Sequence, residues 1–200
     1  MYSVRKGLHL VLASQSPRRS EILSSLGFQF DVVPSEIDEG DKRGDESPKE
    51  YVLRLALEKA VVVANRFPDS IVLGADTTVS LGEKVLGKPQ NVEEAEVMLR
   101  QLEGNAHQVL GGLAVVSSQG GTLWHEASVT EVRFRKLTSQ EIQAYIATGE
   151  PFDKAGAYGI QGVAGSFVRY ISGSYSNVVG LDSRELITAL LELNLIEVVS

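Results

Sequence analysis

Apolar and polar positions follow two rhythms along this chain. Short apolar runs at Leu8–Ala13 and Ile71–Ala75 predict strands buried on both faces. Phe28–Val33, Val109–Val116, Val129–Arg135 and Ser166–Ile171 are the other candidate strands. Between them the spacing turns helical, and capping residues mark the starts. Ser47-Pro48-Lys49-Glu50 reads as a capping box with proline at the first helical position, opening a helix to about Phe67. Asn91 with Glu94, Thr138 with Glu141 and Asp182 with Glu185 open three more, the first two ending at Gly104 and Gly149. A further helix runs from Pro17 to Leu26, capped by Ser16 and stopped by Gly27. Gln119-Gly120-Gly121 reads as a hairpin turn, which makes its two neighbouring strands antiparallel. The alternation of strands and helices predicts an α/β class with a mixed sheet. Glu36–Pro48 is the one stretch that reads as a loop insertion, and no internal repeat is evident.

Length and composition narrow the function. The chain has 200 residues, enough for one sizeable domain or two tightly joined lobes. Its formal net charge of −7 disfavours a nucleic acid polymer as partner, because such binding rests on neutralising phosphates with Lys and Arg. A small anion still binds wherever positive charge is locally concentrated. Cysteine is absent, so disulfides and thiolate metal sites are excluded. That absence agrees with a cytoplasmic location. The apolar run near the start is too short for a signal peptide and reads as a strand. No stretch has the length of a membrane span.

Four segments carry candidate chemistry. Ser16-Pro17-Arg18-Arg19 puts two arginines in a helix first turn, where backbone N–H groups already carry partial positive charge. The conflict vanishes if an anion sits there, held by N–H groups, the hydroxyls of Ser14 and Ser16, and the guanidinium forks. A solvated basic patch, or a salt bridge to Glu21, explains the arginines equally well. Gly74-Ala75-Asp76-Thr77-Thr78 runs an apolar strand into an aspartate. Such a residue at a strand end can hold a divalent metal, take a proton from water, or simply form a turn. Gly82-Glu83 predicts a tight turn that returns Lys88 toward Asp76, as a phosphate contact or as a surface lysine. Asp153 to Gly162 contains three glycines, which let a backbone approach a ligand or merely make turns, and Gln161, whose amide suits a base edge. The G-x-x-x-x-G-K-[ST] and G-x-G-x-x-G phosphate motifs are missing, and His9, His107 and His125 are scattered.

Taken in order, these segments resemble the Maf family of nucleoside triphosphate pyrophosphatases. The resemblance rests on Leu12-Ala13-Ser14-Gln15-Ser16-Pro17-Arg18-Arg19, Gly74-Ala75-Asp76-Thr77, Gly87-Lys88-Pro89, Asp153 through Gly162, and Gly173-Ser174-Tyr175 through Leu181. It implies a mixed, twisted sheet with flanking helices in two lobes around a cleft, related in shape to inosine triphosphate pyrophosphatases, with residues 1–200 forming one domain. It implies hydrolysis of dTTP, UTP and modified pyrimidine analogues to the monophosphate and pyrophosphate. Asp76 matches the general base. Ser14, Arg18, Arg19, Lys59 and Lys88 match the residues that hold the triphosphate. Glu39, with Asp76, matches the site of a divalent metal cation, Mg²⁺ or Mn²⁺. Arg18, Thr77 and Gln161 match the specificity positions of the dTTP/UTP subgroup. A homodimer and a cytoplasmic location are implied as well. One departure is Leu181-Asp182, where the family commonly has Leu-Pro. Two rival readings stay open: a nucleotide-sensing regulator of septum formation, and a pyrophosphatase for 7-methyl-GTP or another purine nucleotide.

Overall fold

In a computed structural model, which describes residues 1–117 and 121–199, a seven-stranded mixed sheet carries one long helix directly on its middle. The elements run β1 (Tyr2–Val4), β2 (His9–Leu12), α1 (Pro17–Ser25), β3 (Asp31–Val32), α2 (Pro48–Ala64), β4 (Ser70–Leu81), β5 (Lys84–Leu86), α3 (Val92–Leu102) and β6 (Ala106–Ser117). There follow β7 (Gly121–Phe134), α4 (Ser139–Ala147), three short 3₁₀ turns (Glu150–Asp153, Ala155–Ala157 and Val163–Phe167), β8 (Val168–Ser172), α5 (Tyr175–Val179), α6 (Ser183–Glu192) and β9 (Ile196–Val198). The main sheet has the order β3-β2-β4-β6-β7-β8, with β5 paired to the far end of β4. β2 lies parallel to β3 and β4, and the other pairings are antiparallel, so the sheet is mixed as expected. β1 and β9 form a separate antiparallel pair that joins the two ends of the chain.

The helix starts fall where capping chemistry places them. Ser47 and Glu50 close a reciprocal box at α2, and Thr138 and Glu141 close another at α4. Asn91 caps α3 and Asp182 caps α6. α1 differs. Ser16 occupies its cap position, but the Ser16 side chain makes no capping bond, and the first turn holds no acidic residue. The N–H groups at that helix start are therefore not neutralised from within.

β4 corrects the expected strand end at Asp76. The strand continues to Leu81, with Asp76 opposite Gly112 and Thr77 opposite Gly111 on β6. The change from apolar to polar marks the strand's entry into a cavity and leaves the ladder unbroken. Thr77 and Thr78 are β-branched and suit a strand. Past Leu81 the chain turns at Gly82, whose φ of +58° is the left-handed geometry the tight turn requires, and β5 returns alongside β4. The predicted antiparallel pairing across residues 117–121 is present as β6 with β7, while Gln119 and Gly120 lie outside the described residues. Phe28–Val33 contributes only the two-residue β3.

Two apolar cores flank the middle of the sheet. One packs β2 and the first half of β4 with Leu23 of α1 and with Leu186 and Leu190 of α6. The other packs Val79, Leu86, Leu99, Phe134, Ile142 and Tyr145 around α3 and α4. β4 contributes to both cores, and Asp76 stands between them. α2 lies so close to the sheet that a side chain at Gly74 would meet the Ala56 carbonyl oxygen at 2.0 Å, and one at Gly112 the Val52 carbonyl oxygen at 2.2 Å. This close approach sets the height at which α2 holds its buried lysine, Lys59. No helix among the described residues is long and apolar enough to cross a membrane.

Candidate active site

Between the two cores lies a cavity of about 1050 Å³. Ser14, Arg18, Arg19, Glu39, Lys59, Asp76, Thr77, Lys88 and Gln161 all line it, although they come from segments far apart in the chain. Asp182 is absent from its lining and serves α6 instead, accepting from the N–H groups of Arg184 and Glu185. The departure at Leu181-Asp182 therefore stays outside this cavity.

At its floor three charged groups form a chain. The Lys59 ammonium sits 2.6 Å from Asp76 Oδ1 and 2.7 Å from Glu39 Oε1. Lys59 and Asp76 are 6% and 7% exposed, so neither charge is dispersed by bulk water. Glu39 is half-exposed on the loop between β3 and α2. Partial burial pushes its carboxyl pKa up, but the Lys59 hydrogen bond and the positive fields of Lys59, Lys88 and Arg19 outweigh that and hold it below the usual carboxylate range. The loop is tied down by the Tyr51 hydroxyl donating to the Gly40 carbonyl at 3.1 Å, and by Arg66 donating to the Pro34 carbonyl at 2.8 Å.

The two arginines of the first turn have separate tasks. Arg19 is buried, and each of its three guanidinium nitrogens makes one hydrogen bond. It donates to Ser14 Oγ at 3.0 Å, to Thr77 Oγ1 at 3.2 Å and to the Gly180 carbonyl at 2.9 Å. Burial lowers its pKa from the ordinary value, while Asp76 and Glu39 oppose that shift. The Thr77 hydroxyl donates to the same Gly180 carbonyl at 3.2 Å. Arg19 thus binds α1, β4 and the turn after α5 into one frame. Arg18, by contrast, points across the cavity to Asp153, 3.3 Å away, and no ion pair to Glu21 forms. The Asp153 carboxyl is pushed up by partial burial and pulled further down by Lys154 and Arg18, so it stays ionised.

Sequence reasoning missed several cavity residues. Tyr51, Gln90 and Glu150 line it and no local pattern marks them, while Asp153 and Lys154 lie in the glycine-rich segment already singled out but had no role assigned there. It also missed the acidity. Seven carboxylates line the cavity against five lysines and arginines. A bare polyphosphate would meet net repulsion there, which a divalent cation carried with it would reduce. The donor set fits such a cation. Glu39 and Asp76 each present an oxygen within reach of one shared positive group, and Mg²⁺ typically takes one or two carboxylates together with substrate phosphates. Among the described residues no group of three or more His, Asp and Glu side chains is gathered into a ready-made metal cage.

The fold and the cavity define a class: a mixed α/β protein whose central strand and overlying helix bring a buried carboxylate–lysine pair to a cleft lined by further cations and a free helix start. A family profile described as Maf-like protein matches residues 9–193, and the chain belongs to that family. A protein from Vibrio parahaemolyticus named dTTP/UTP pyrophosphatase is 51% identical over 180 residues, covering 89% of this chain and 93% of that protein. One of the same name from Symbiobacterium thermophilum is 53% identical over 172 residues, covering 86% and 87%. Among solved structures, the Ham1 protein of Staphylococcus aureus aligns over 93% of this chain and 99% of its own, with 15% identity and a TM-score of 0.49.

Proposed function

We propose that this chain hydrolyses dTTP and UTP between the α- and β-phosphates, releasing the monophosphate and pyrophosphate, as a housekeeper of the nucleotide pool. The observation that carries the proposal is the Asp76–Lys59–Glu39 chain at the floor of one cavity shared with Arg18, Lys88 and the start of α1. The names of the relatives, which match over most of the chain at about half identity, support the substrate. The strand β4, which serves both cores, supports a single domain.

Phosphoanhydride cleavage needs an aligned nucleophile and stabilised charge, and little else from a protein. Asp76 accepts the proton of the water that attacks the α-phosphorus. Lys59 pairs with Asp76 and fixes its direction, while Arg18, Lys88, Ser14 and the N–H groups of α1 hold the phosphate oxygens. Arg19 acts mainly by framing the site, because three of its donor directions are already taken. Glu39 and Asp76 would hold a divalent cation, which would supply charge neutralisation to the phosphates. Gln161, at the cavity rim, meets the base edge with Arg18. A donor aimed at a pyrimidine carbonyl rejects cytosine, whose amino group leaves that donor unpaired. A nucleotide sensor would gain nothing from a buried carboxylate beside phosphate, which repels the ligand.

The test is pyrophosphate release from dTTP, UTP, CTP, 7-methyl-GTP and ITP, with and without Mg²⁺. Wild-type protein is expected to prefer dTTP and UTP and to require the metal. Asp76→Asn is expected to keep the fold and lose about 10²–10⁴-fold in kcat. Near wild-type turnover by that variant removes Asp76 as the base, and a purine preference removes the substrate assignment.

A further inference from the structure

Gln161 stands on a small turn with an elaborate underside. The Gly162 N–H donates to the Gly159 carbonyl at 3.1 Å, closing the four-residue turn Gly159-Ile160-Gln161-Gly162. Both ends of this turn are held by two side chains from outside it. The Tyr145 hydroxyl accepts from the Gly159 N–H at 3.2 Å and donates to Glu150 Oε1 at 3.0 Å. Glu150 Oε2 accepts from the Val163 N–H at 3.2 Å. The carboxylate lies so flat against the turn that a side chain at Gly162 would meet Glu150 Oε1 at 2.2 Å. Tyr145 is itself immobile: it is 2% exposed on α4, with its ring edge-on to Phe167 at 5.2 Å. Glu150 is fixed from the other side too, since Lys154 donates to its carbonyl at 2.8 Å.

This arrangement is more than a loop needs in order to turn. A glycine-rich turn left alone samples many conformations, and an amide at its third position would wander with it. Hydrogen bonds to both ends remove that freedom. The ionised acceptor Glu150 makes the stronger kind of bond, and the buried Tyr145 ring supplies a rigid reference in the core around α3 and α4. The same short segment also places Asp153, the partner of Arg18.

We infer that Tyr145 and Glu150 are positioning residues for base selection: they fix the turn that aims Gln161 at the nucleobase edge. This rests on the reading of Gln161 given above. Displacing a recognition group by a fraction of an ångström weakens discrimination while the phosphate-handling end of the site, built on β4 and α2, stays intact. The consequence is a split. Selection of uracil over cytosine depends on Tyr145 and Glu150, and turnover of saturating substrate depends on them far less.

The experiment compares Tyr145→Phe, Glu150→Gln, Gln161→Ala and Tyr145→Phe/Gln161→Ala with wild type in the full-length protein. Steady-state pyrophosphate release is measured from UTP and CTP with Mg²⁺. Tyr145→Phe keeps the buried ring and removes only the bridging hydroxyl. Glu150→Gln keeps the shape and is independent of any folding defect in the core variant. Both are expected to lower the UTP-over-CTP ratio of kcat/KM by roughly tenfold, mainly through a higher KM for UTP. The double variant is expected to discriminate no worse than Gln161→Ala alone, because the two changes disable one device. If both single variants keep wild-type discrimination while Gln161→Ala loses it, the positioning role is overturned and the Gln161 reading survives. If Gln161→Ala keeps wild-type discrimination, that reading falls and this inference falls with it.

Discussion

Replacing Lys59 with methionine tests the heart of the site by thermodynamics alone. Methionine keeps the length and the apolar stem but leaves Asp76, 7% exposed, without its 2.6 Å partner. Removing one member of a buried ion pair costs about 3–5 kcal/mol. Here the loss should sit lower, at about 2–3 kcal/mol, because the Arg19 guanidinium still acts on Asp76 and the pair borders a cavity. Asp76→Asn should cost only about 1 kcal/mol, since Lys59 keeps Glu39 at 2.7 Å and the new amide can still accept a bond. The double variant leaves neither charge unpaired. Its cost should fall short of the sum of the singles by about 2 kcal/mol. Urea denaturation followed by far-UV circular dichroism reads all four proteins. With a slope of about 2 kcal/mol per molar, the Lys59→Met midpoint should fall by about 1 M. Strictly additive midpoint shifts would refute the claim that the ammonium and the carboxylate depend on each other.

Two other outcomes follow from the geometry. Gly74→Ala should destabilise by about 3 kcal/mol in the same urea assay, because the added carbon meets backbone at 2.0 Å and α2 must lift; a neutral result would mean that α2 does not rest on β4. His107 is 3% exposed, bonded to the Tyr158 hydroxyl at 2.8 Å, and burial lowers its pKa to about 4. The unfolded chain therefore binds a proton that the folded chain refuses between pH 6.5 and about 4, so stability falls as pH falls through that window, by about 3 kcal/mol in all. His107→Gln should flatten that slope in denaturation curves taken from pH 7 to pH 4, and an unaltered slope would place the acid sensitivity elsewhere.

Local chemistry explains which features could be read from sequence. The starts of α2, α3, α4 and α6 were legible because a cap and its partner lie three residues apart. The candidate site was legible in part for the same kind of reason: Arg18, Arg19 and Asp76 sit in short segments whose composition conflicts with their position, whereas Ser14, Lys88 and Gln161 gained their roles from the resemblance of the ordered segments. What failed to show was set by distant neighbours. Asp76 looked like the end of a strand because its pairing with Gly112 is invisible from residues 71–78. Arg18 and Arg19 looked alike, and only Ser14, Thr77 and the Gly180 carbonyl distinguish the buried one. The pairing of β1 with β9 joins opposite ends of the chain, so no window of sequence contains it. The acidic excess in the cavity is assembled from segments scattered between Glu21 and Asp153.

Asp76 is held in the interior of a twelve-residue strand, with registered partners on β6 before it and after it. A ladder of that kind cannot slide by a fraction of a residue without breaking its bonds together. The carboxylate is therefore the stationary point of the protein, and any closure around a substrate has to come from the pieces that face it. The chief of those is the Glu39 loop, tied to the body by side-chain bonds from Tyr51, Arg54, Lys59 and Arg66, because the Gln161 turn is pinned at both ends. Insertions and sequence drift should be tolerated at the rim and excluded from β4, so changes of substrate preference can arise at the edge of the cleft while the bond-breaking geometry stays as it is.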